Sequence, residues 1–176
     1  MIEQALGYLW DTQEPDGSGW GRWGVNYLYG LGAAVPALVA AGIDPADPRL
    51  QRAVRWLEHH QQPDGGWGES CATYEDPSLR GQGPSTASQT AWALLALLAL
   101  EPPDHPAIVR GIDYLVRTQT DEGEWHEPHF TGTGFPRDFM LKYHLYCNYW
   151  PLWALGRYRR LRDGNPIHLP DTDPLA

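Results

Sequence analysis

Residues 52–67 read RAVRWLEHHQQPDGGW, and the same plan recurs as ALGYLWDTQEPDGSGW at 5–20 and RGIDYLVRTQTDEGEW at 110–125. Each window places an aromatic residue and a Leu ahead of a Gln, then an Asp/Gly turn and a Trp. The three Gln–Trp pairs are Gln13 with Trp20, Gln61 with Trp67, and Gln119 with Trp125. The unit therefore recurs about every 50 residues, a length that holds two helices and their connections.

The segments between these windows are more apolar than the windows themselves. They predict second helices over 24–42, 85–100 and 136–161, with Ser85 or Thr86 as the N-cap of the middle one. The Asp/Gly turn after each Gln ends the first helix of each pair. We therefore predict an all-α fold, half of an α6–α6 toroid, with apolar helices inside and Gln-bearing helices outside. The domain spans 1–161, and residues 162–176 have no helical period and are predicted to be extended or disordered.

The Gln and Trp of each window have a structural interpretation. A Gln amide near a helix end can bond backbone groups that have no intrahelical partner, and the indole can cover that contact. We predict that the three pairs act as staples between helices.

Aromatic residues follow the Gly-rich stretch at 131–134 with helical spacing. They are Phe135, Phe139, Tyr143 and Tyr146. Such a stripe usually marks a buried helix face, so periodicity alone predicts that it packs in the core.

Charge and composition narrow the function classes. The net charge is −9 and no block of Lys or Arg occurs, which argues against a nucleic-acid partner. The longest apolar run, 91–100, is half of the roughly 20 residues that a spanning helix needs, and the N-terminus does not resemble a secretory signal. Cys71 and Cys147 provide no disulfide framework, which suits the cytoplasm.

The three windows resemble the QW motif of triterpene cyclases. The resemblance extends to the C-terminal part of squalene-hopene cyclases through GRWGVNYLYG at 21–30, PDGGWGES at 63–70 and FTGTGFPRDFMLKYHLY at 130–146. It covers the chain from about residue 5 to about residue 160. In that family an Asp protonates a terminal alkene, and the folded polyene then closes ring by ring through carbocations.

The resemblance implies a site that stabilises positive charge without offering a nucleophile. Aromatic faces do so through their quadrupole, by roughly 0.5 to 2 kcal/mol for each contact. By this resemblance the residues facing developing cations are Phe135, Phe139, Trp23 and Tyr29, with Tyr29 also near the hydrogen-bond network of the acid. Neighbouring cavity positions are Leu141, Tyr143 and Tyr146. The implied substrate is squalene or a related linear isoprenoid, and no cofactor or metal is implied.

The acid of the family lies in an upstream D-x-D-D motif that this chain lacks. The nearest string is Asp171-Thr-Asp173, in the Pro-rich tail. We therefore expect the chain alone not to cyclise squalene, and we expect the missing N-terminal portion of a cyclase as its partner. Half a toroid would also leave apolar inner helices exposed, which predicts aggregation or such a partner. The resemblance implies a full-length enzyme in the cytoplasm or peripherally bound to the cytoplasmic face of the membrane.

The sequence also permits two other functional interpretations. A metal site could use His126, His129, Cys71 and Cys147, but their spacing matches no zinc motif. A non-catalytic toroid fragment that binds an isoprenoid, or pairs with another cyclase polypeptide, would explain the absent acid. A conventional hydrolase is not supported, since G-x-S-x-G is absent.

Overall fold

The computed structural model describes residues 1–135 and 137–165, and most of these residues are helical. The helices are α1 (Ile2–Asp11), α2 (Tyr27–Ala40), α3 (Pro48–His59), α4 (Ala87–Leu97), α5 (Pro106–Thr118) and α6 (Tyr146–Arg162). Two short 3-10 turns cover Cys71–Tyr74 and Pro77–Leu79. An antiparallel hairpin pairs β1 (Gly132–Gly134) with β2 (Phe139–Leu141).

Helices α3 and α5 begin in the same way. Each starts at a proline, whose missing N–H costs nothing at that position. The preceding residue caps the helix: the Asp47 carboxylate accepts from the Arg49 N–H at 2.8 Å. Both helices are amphipathic and bury one face, which for α3 includes Leu50, Trp56 and Leu57.

Helix α4 is the centre of the core. Every one of its residues is buried, because it packs against α2 on one side and α6 on the other while α3 and α5 cover it. Helices α2, α4 and α6 thus form an inner row, and α1, α3 and α5 carry the Gln windows outside it. This arrangement confirms the predicted all-α fold of an α/α toroid fragment.

The first two inner helices agree with the sequence prediction. Segment 24–42 contains α2, and segment 85–100 contains α4. Thr86 is the N-cap of α4, and its hydroxyl oxygen accepts from the Gln89 N–H at 3.2 Å.

The predicted helix over 136–161 is wrong in its first part. The hairpin strands Gly132–Gly134 and Phe139–Leu141 occupy this part of the chain, and α6 begins only at Tyr146. Phe135 has φ 51° and Arg137 has φ 78°, left-handed values that a right-handed helix cannot include. The spacing of Phe135, Phe139, Tyr143 and Tyr146 is therefore not that of one helix face. Arg162, where the extended tail is predicted to begin, is the last residue of α6, and the part of the tail from 166 onward lies outside the described residues.

Helix α6 is less buried than the other inner helices. Only Pro151 and Ala154 are buried along it, because α4 is its one inner-row neighbour among residues 1–135 and 137–165. Tyr149, Leu152 and Trp153 are exposed. The exposed side of α6 agrees with the expectation that half a toroid leaves apolar inner helices exposed, whereas α4 is enclosed on all sides.

No helix in the described ranges is long and apolar enough to cross a bilayer.

Candidate functional site: an aromatic wall on a stapled scaffold

The Gln side chains of the first two windows connect consecutive outer helices. The Gln13 Nε2 donates to the carbonyl of Gly17 in its own turn at 3.2 Å and to that of Arg49 at 3.0 Å. The Gln61 Nε2 makes the same pair of bonds, to its own turn at 2.8 Å and to the Ala107 carbonyl at 2.9 Å. Arg49 and Ala107 are each the second residue of the next outer helix. The Gln therefore fixes where the following repeat begins.

Gln119 makes only the first half of this contact within the described residues. Its Nε2 donates to the Gly123 carbonyl at 2.9 Å, and its side chain is exposed. No outer helix follows α5 in the described part of the chain, so the second bond has no counterpart there.

The Trp side chains of the second and third windows bond to backbone carbonyls near the C-terminal ends of α3 and α5. The indole N–H of Trp67 donates to the Leu57 carbonyl and that of Trp125 to the Leu115 carbonyl, both at 2.8 Å. Both rings are buried. Trp20 differs, because it is 39% exposed and meets Tyr74 edge-on with ring centroids 6.0 Å apart.

Two buried glutamates form a further link between repeats that the sequence analysis did not identify. Glu69 Oε2 accepts from the N–H groups of Asn26 and Leu28, both at 3.1 Å, at the start of α2. Glu127 accepts from the Ser88 N–H at 2.9 Å, at the start of α4. The first N–H groups of a helix lack intrahelical partners and favour negative charge, so each glutamate caps the inner helix of the preceding repeat.

The positions of these two glutamates relative to the window Trp follow a sequence pattern. Glu69 and Glu127 each stand two residues after the Trp of their window. In the first window that position is Arg22.

The environment of Glu69 is unusual for a carboxylate. Its Oε1 has no hydrogen-bond partner among the described groups, and the side chain is almost completely buried. Burial raises the pKa of Glu69 to about 7, although the backbone N–H groups that it accepts from act in the opposite direction. The Gln89 amide fixes the Glu69 backbone, accepting from its N–H and donating to its carbonyl, both at 3.0 Å.

The loop that carries Trp23 is attached to the hairpin. The Val25 N–H donates to the Thr131 carbonyl at 2.9 Å, and the Thr133 N–H donates to the Trp23 carbonyl at 3.1 Å. The Tyr74 hydroxyl lies 2.7 Å from the Gly24 carbonyl, to which it donates. Loop and hairpin thus form one platform at the end of the bundle where the inner helices begin.

Aromatic rings cover the glycines of this platform. A Cβ on Gly132 would come within 2.5 Å of the Tyr143 ring, and a Cβ on Gly134 within 2.6 Å of the Phe139 ring. Residues two apart on a strand face the same side, so the Tyr143 and Phe139 rings lie on the same face of β1. Gly24 pairs with Gly132 and lies directly beneath the Tyr29 ring.

A second set of contacts connects these rings to the inner helices. Trp92 of α4 meets Tyr29 edge-on at 5.1 Å and Tyr146 edge-on at 5.9 Å between ring centroids. Tyr146 in turn stacks on Tyr143 at 4.6 Å. Burial raises the pKa of Tyr146, and burial followed by the nearby Tyr143 raises that of Tyr29. Trp92 cannot be recognised from the sequence as part of this group, because it lies in an apolar run that is typical of an ordinary core helix.

The Phe pair and Trp23 complete the wall and face solvent. Phe135 and Phe139 lie 6.2 Å apart between ring centroids, and they are 65% and 49% exposed. Leu141 is half-buried beside them. Trp23 is 46% exposed, and the Arg22 guanidinium lies 5.4 Å above its ring. A cationic group therefore already occupies one of these faces.

Two cavities adjoin the wall. One of about 410 Å³ is bordered by Tyr143, Tyr146 and Tyr149. The other, about 750 Å³, lies between α1 and α2 and is bordered by Trp20 and Tyr29. The arrangement offers aromatic faces and a few phenolic hydroxyls, which suits an apolar ligand or a dispersed positive charge.

No group of three or more His, Cys, Asp or Glu side chains is placed to hold a metal ion in the described ranges. Cys71 and Cys147 are free thiols.

The matching family profile and the related sequences indicate the same protein family. Residues 1–160 match the profile of the squalene-hopene cyclase C-terminal domain. The squalene-hopene cyclase of Alicyclobacillus acidocaldarius is 56% identical over 160 residues, which cover 91% of this chain and 25% of that protein. The squalene-hopene cyclase of Bradyrhizobium diazoefficiens is 50% identical over 165 residues, which cover 93% of this chain and 25% of that protein. The chain thus spans about a quarter of the length of these relatives.

A solved structure shares the fold. The ent-copalyl diphosphate synthase from Streptomyces platensis superposes with a TM-score of 0.66 at 23% identity, over 90% of this chain and 28% of that one.

Proposed function

This chain belongs to the squalene-hopene cyclase family, and we propose that it supplies the aromatic wall of a cavity in which a linear isoprenoid such as squalene cyclises through carbocations. The observation that carries the proposal is the grouping of Tyr29, Phe139 and Tyr143 on one glycine platform, with Phe135 and Trp23 at its open edge. Rings held side by side can follow a positive charge as it moves along a substrate, each contributing roughly 0.5 to 2 kcal/mol.

The platform suits this task because its rings are fixed before substrate arrives. Gly132 and Gly134 allow the Tyr143 and Phe139 rings to lie directly on the strand. Phe135 is held at a left-handed φ, a conformation that costs on the order of 1 to 3 kcal/mol and often occurs at functional sites. Preorganised groups stabilise a transition state without rearranging during the reaction.

The wall is one side of a cavity, and the rest must come from elsewhere. Phe135, Phe139 and Trp23 are exposed to solvent, whereas cation stabilisation by aromatic rings is strongest when water is excluded. The D-x-D-D acid that the family resemblance implies is absent from residues 1–176. We therefore propose that the remainder of a cyclase provides both the acid and the opposite wall, and that the chain alone is inactive.

Reconstitution tests this proposal. The Bradyrhizobium diazoefficiens relative, truncated to remove the quarter that this chain matches, serves as the complementing protein. Squalene is incubated with each protein alone and with both together, and products are analysed by gas chromatography and mass spectrometry. We expect cyclised product only from the pair. Cyclisation by this chain alone would contradict the proposal.

A non-catalytic isoprenoid-binding role is the second candidate. It is favoured by the same exposed apolar wall in a chain without the acid. One result distinguishes the two candidates. A binding fragment binds squalene both alone and in the pair, and no cyclised product forms in either case. We also propose, on the family resemblance alone, that the full-length enzyme contacts a membrane peripherally.

A further inference from the structure

Consecutive repeats in this chain are joined by contacts of one fixed register. The window Gln reaches forward to the second residue of the next outer helix, as Gln61 does to Ala107. The glutamate two residues after the window Trp reaches back to the first turn of the preceding inner helix, as Glu127 does to Ser88. Each repeat therefore needs a following repeat to complete its own contacts.

Inner helices also have a forward face that meets the next outer helix. Leu94 lies against Gly111 of α5, the next outer helix after α4. It stands four residues after Thr90, whose hydroxyl accepts from the N–H of its window Trp at 2.9 Å. In the third repeat Asn148 accepts from the N–H of Trp125 at 3.2 Å, so the counterpart of Leu94 is Leu152.

At the α5–α6 end all of these forward contacts are unused among the described residues. Gln119 bonds only its own turn, and Leu152 is 57% exposed. The first turn of α6 has no side-chain cap. A Cβ on Gly156, four residues beyond Leu152, would meet nothing within 4 Å. An exposed apolar face thus coincides with the missing halves of two polar contacts.

We propose that the α5–α6 end is a docking surface for one further helix pair of the same register, carried by another part of a cyclase polypeptide. The outer helix of that pair offers the carbonyl of its second residue to Gln119 Nε2. A Glu two residues after its window Trp caps the first turn of α6. Its helices cover Leu152, Tyr149 and Trp153. This inference rests on the proposed function, because it names the surface through which the complementing portion binds.

A second copy of this chain is a poorer occupant. If the α1 end of another copy docked here, Arg22 would stand where the capping Glu is needed. A cation at the first turn of a helix opposes the helix dipole and cannot accept from the N–H groups. Two copies would also bring together chains that each carry a net charge of −9. The surface therefore selects a different repeat, one that has the Glu.

Binding between this chain and the truncated Bradyrhizobium diazoefficiens relative tests the surface. Leu152→Glu places a charge on it, and Val109→Glu is the matched control, an exposed apolar residue of α5. By window position Val109 corresponds to Gln51, whose side chain bonds Pro45 in its own repeat and not the next one. Both substituted residues are exposed, so unfolding midpoints close to that of the unmodified chain are expected.

We expect a one-to-one complex by light scattering, an at least tenfold weaker affinity for Leu152→Glu, and a change of less than twofold for Val109→Glu. Gln119→Ala is expected to weaken binding about fivefold, the equivalent of one hydrogen bond. Amide exchange in the first turn of α6 should slow in the complex. Equal binding by Leu152→Glu and Val109→Glu would overturn the proposal, and so would self-association of this chain that Leu152→Glu abolishes.

If the truncated relative does not fold, a chimera tests the docking surface instead. This chain then replaces the matching quarter of the relative, and thermal stability is the readout. Leu152→Glu should lower the melting temperature and Val109→Glu should not; equal effects would contradict the docking surface. The outcomes also separate the two proposals. A complex that depends on Leu152 but forms no product contradicts only the proposed function. Product formation that Leu152→Glu does not change contradicts only the docking surface.

Discussion

Replacement of Glu69 by Gln gives a pH-dependent stability change whose size follows from burial. The pKa of Glu69 is raised from its ordinary 4.5 to about 7 in the folded chain. Between these values the folded chain holds a proton that the unfolded chain has released. Raising the pH through this window therefore removes stability, and the loss is nearly complete at pH 8.

The magnitude follows from the separation of the two values. At 1.36 kcal/mol for each pH unit, the interval from 4.5 to about 7 corresponds to about 3 kcal/mol. Gln has the same shape and does not titrate. Relative to the unmodified chain, Glu69→Gln should thus gain about 3 kcal/mol of unfolding free energy between pH 4.5 and pH 8. A constant difference at all pH values is also expected, because the Gln amide replaces one carboxylate oxygen at the start of α2.

Urea unfolding at several pH values, followed by Trp fluorescence, measures this difference. Glu69→Ala is the control, since it removes the titrating group and both hydrogen bonds, and it should show the same pH dependence as Glu69→Gln with a larger constant deficit. Parallel curves for the unmodified chain and Glu69→Gln from pH 4.5 to 8 would refute the reasoning. Such a result would mean that the carboxylate remains solvated or finds a partner for Oε1.

Three further predictions concern the repeat contacts and the wall. Gln61→Ala should cost at least about 2 kcal/mol of unfolding free energy, because it removes the two hydrogen bonds that Nε2 donates and those that Oε1 accepts from Arg110 of α5. Gln119→Ala should cost about 1 kcal/mol; equal losses in urea unfolding would show that the bonds to the next outer helix contribute nothing. Trp67→Ala should cost about 3 to 5 kcal/mol because the ring is fully buried, whereas Trp23→Ala should cost about 1 kcal/mol or less; thermal unfolding of the two variants checks this order. Phe139→Ala should lower the cyclisation rate of the reconstituted pair by about 2- to 30-fold, the equivalent of one cation contact, while the melting temperature changes little; a parallel loss of stability would indicate a structural role instead.

The elements readable from the sequence are those fixed by local signals. The turn glycines after each window Gln and the apolar runs between windows lie within about one helix length of the elements that they define. Hence α2 and α4 occur inside the segments predicted for them, and Thr86 caps α4. The repeat spacing, which needs no tertiary information, was sufficient for the fold class.

The hairpin could not be predicted from periodicity. Phe139 and Tyr143 are four residues apart, a spacing that suggests one helix face. They share a face of β1 instead, because Gly134 and Gly132 leave room for the two rings on one side of the strand. That contact depends on strand pairing and on close approach of ring to backbone, and neither leaves a period in the sequence. The family resemblance nevertheless singled out the rings that the platform brings together.

The glutamate caps were missed for a different reason. Glu69 is 43 residues from Asn26, and Glu127 is 39 residues from Ser88, so each cap joins separate repeats. Propensity arguments consider only residues near a helix end. The recurrence of Glu two residues after the window Trp was visible, and comparison of the windows beyond the Trp would have found it.

The central claim is that this wall stabilises positive charge on an isoprenoid. The direct measurement compares the affinity of the reconstituted pair for a squalene analogue bearing a tertiary ammonium with that for its uncharged carbon counterpart. We expect the charged analogue to bind more tightly, and Phe139→Ala to reduce the ratio of the two affinities by about 2- to 30-fold. A ratio near one in the unmodified pair, or a ratio unaffected by Phe139→Ala, would contradict the claim.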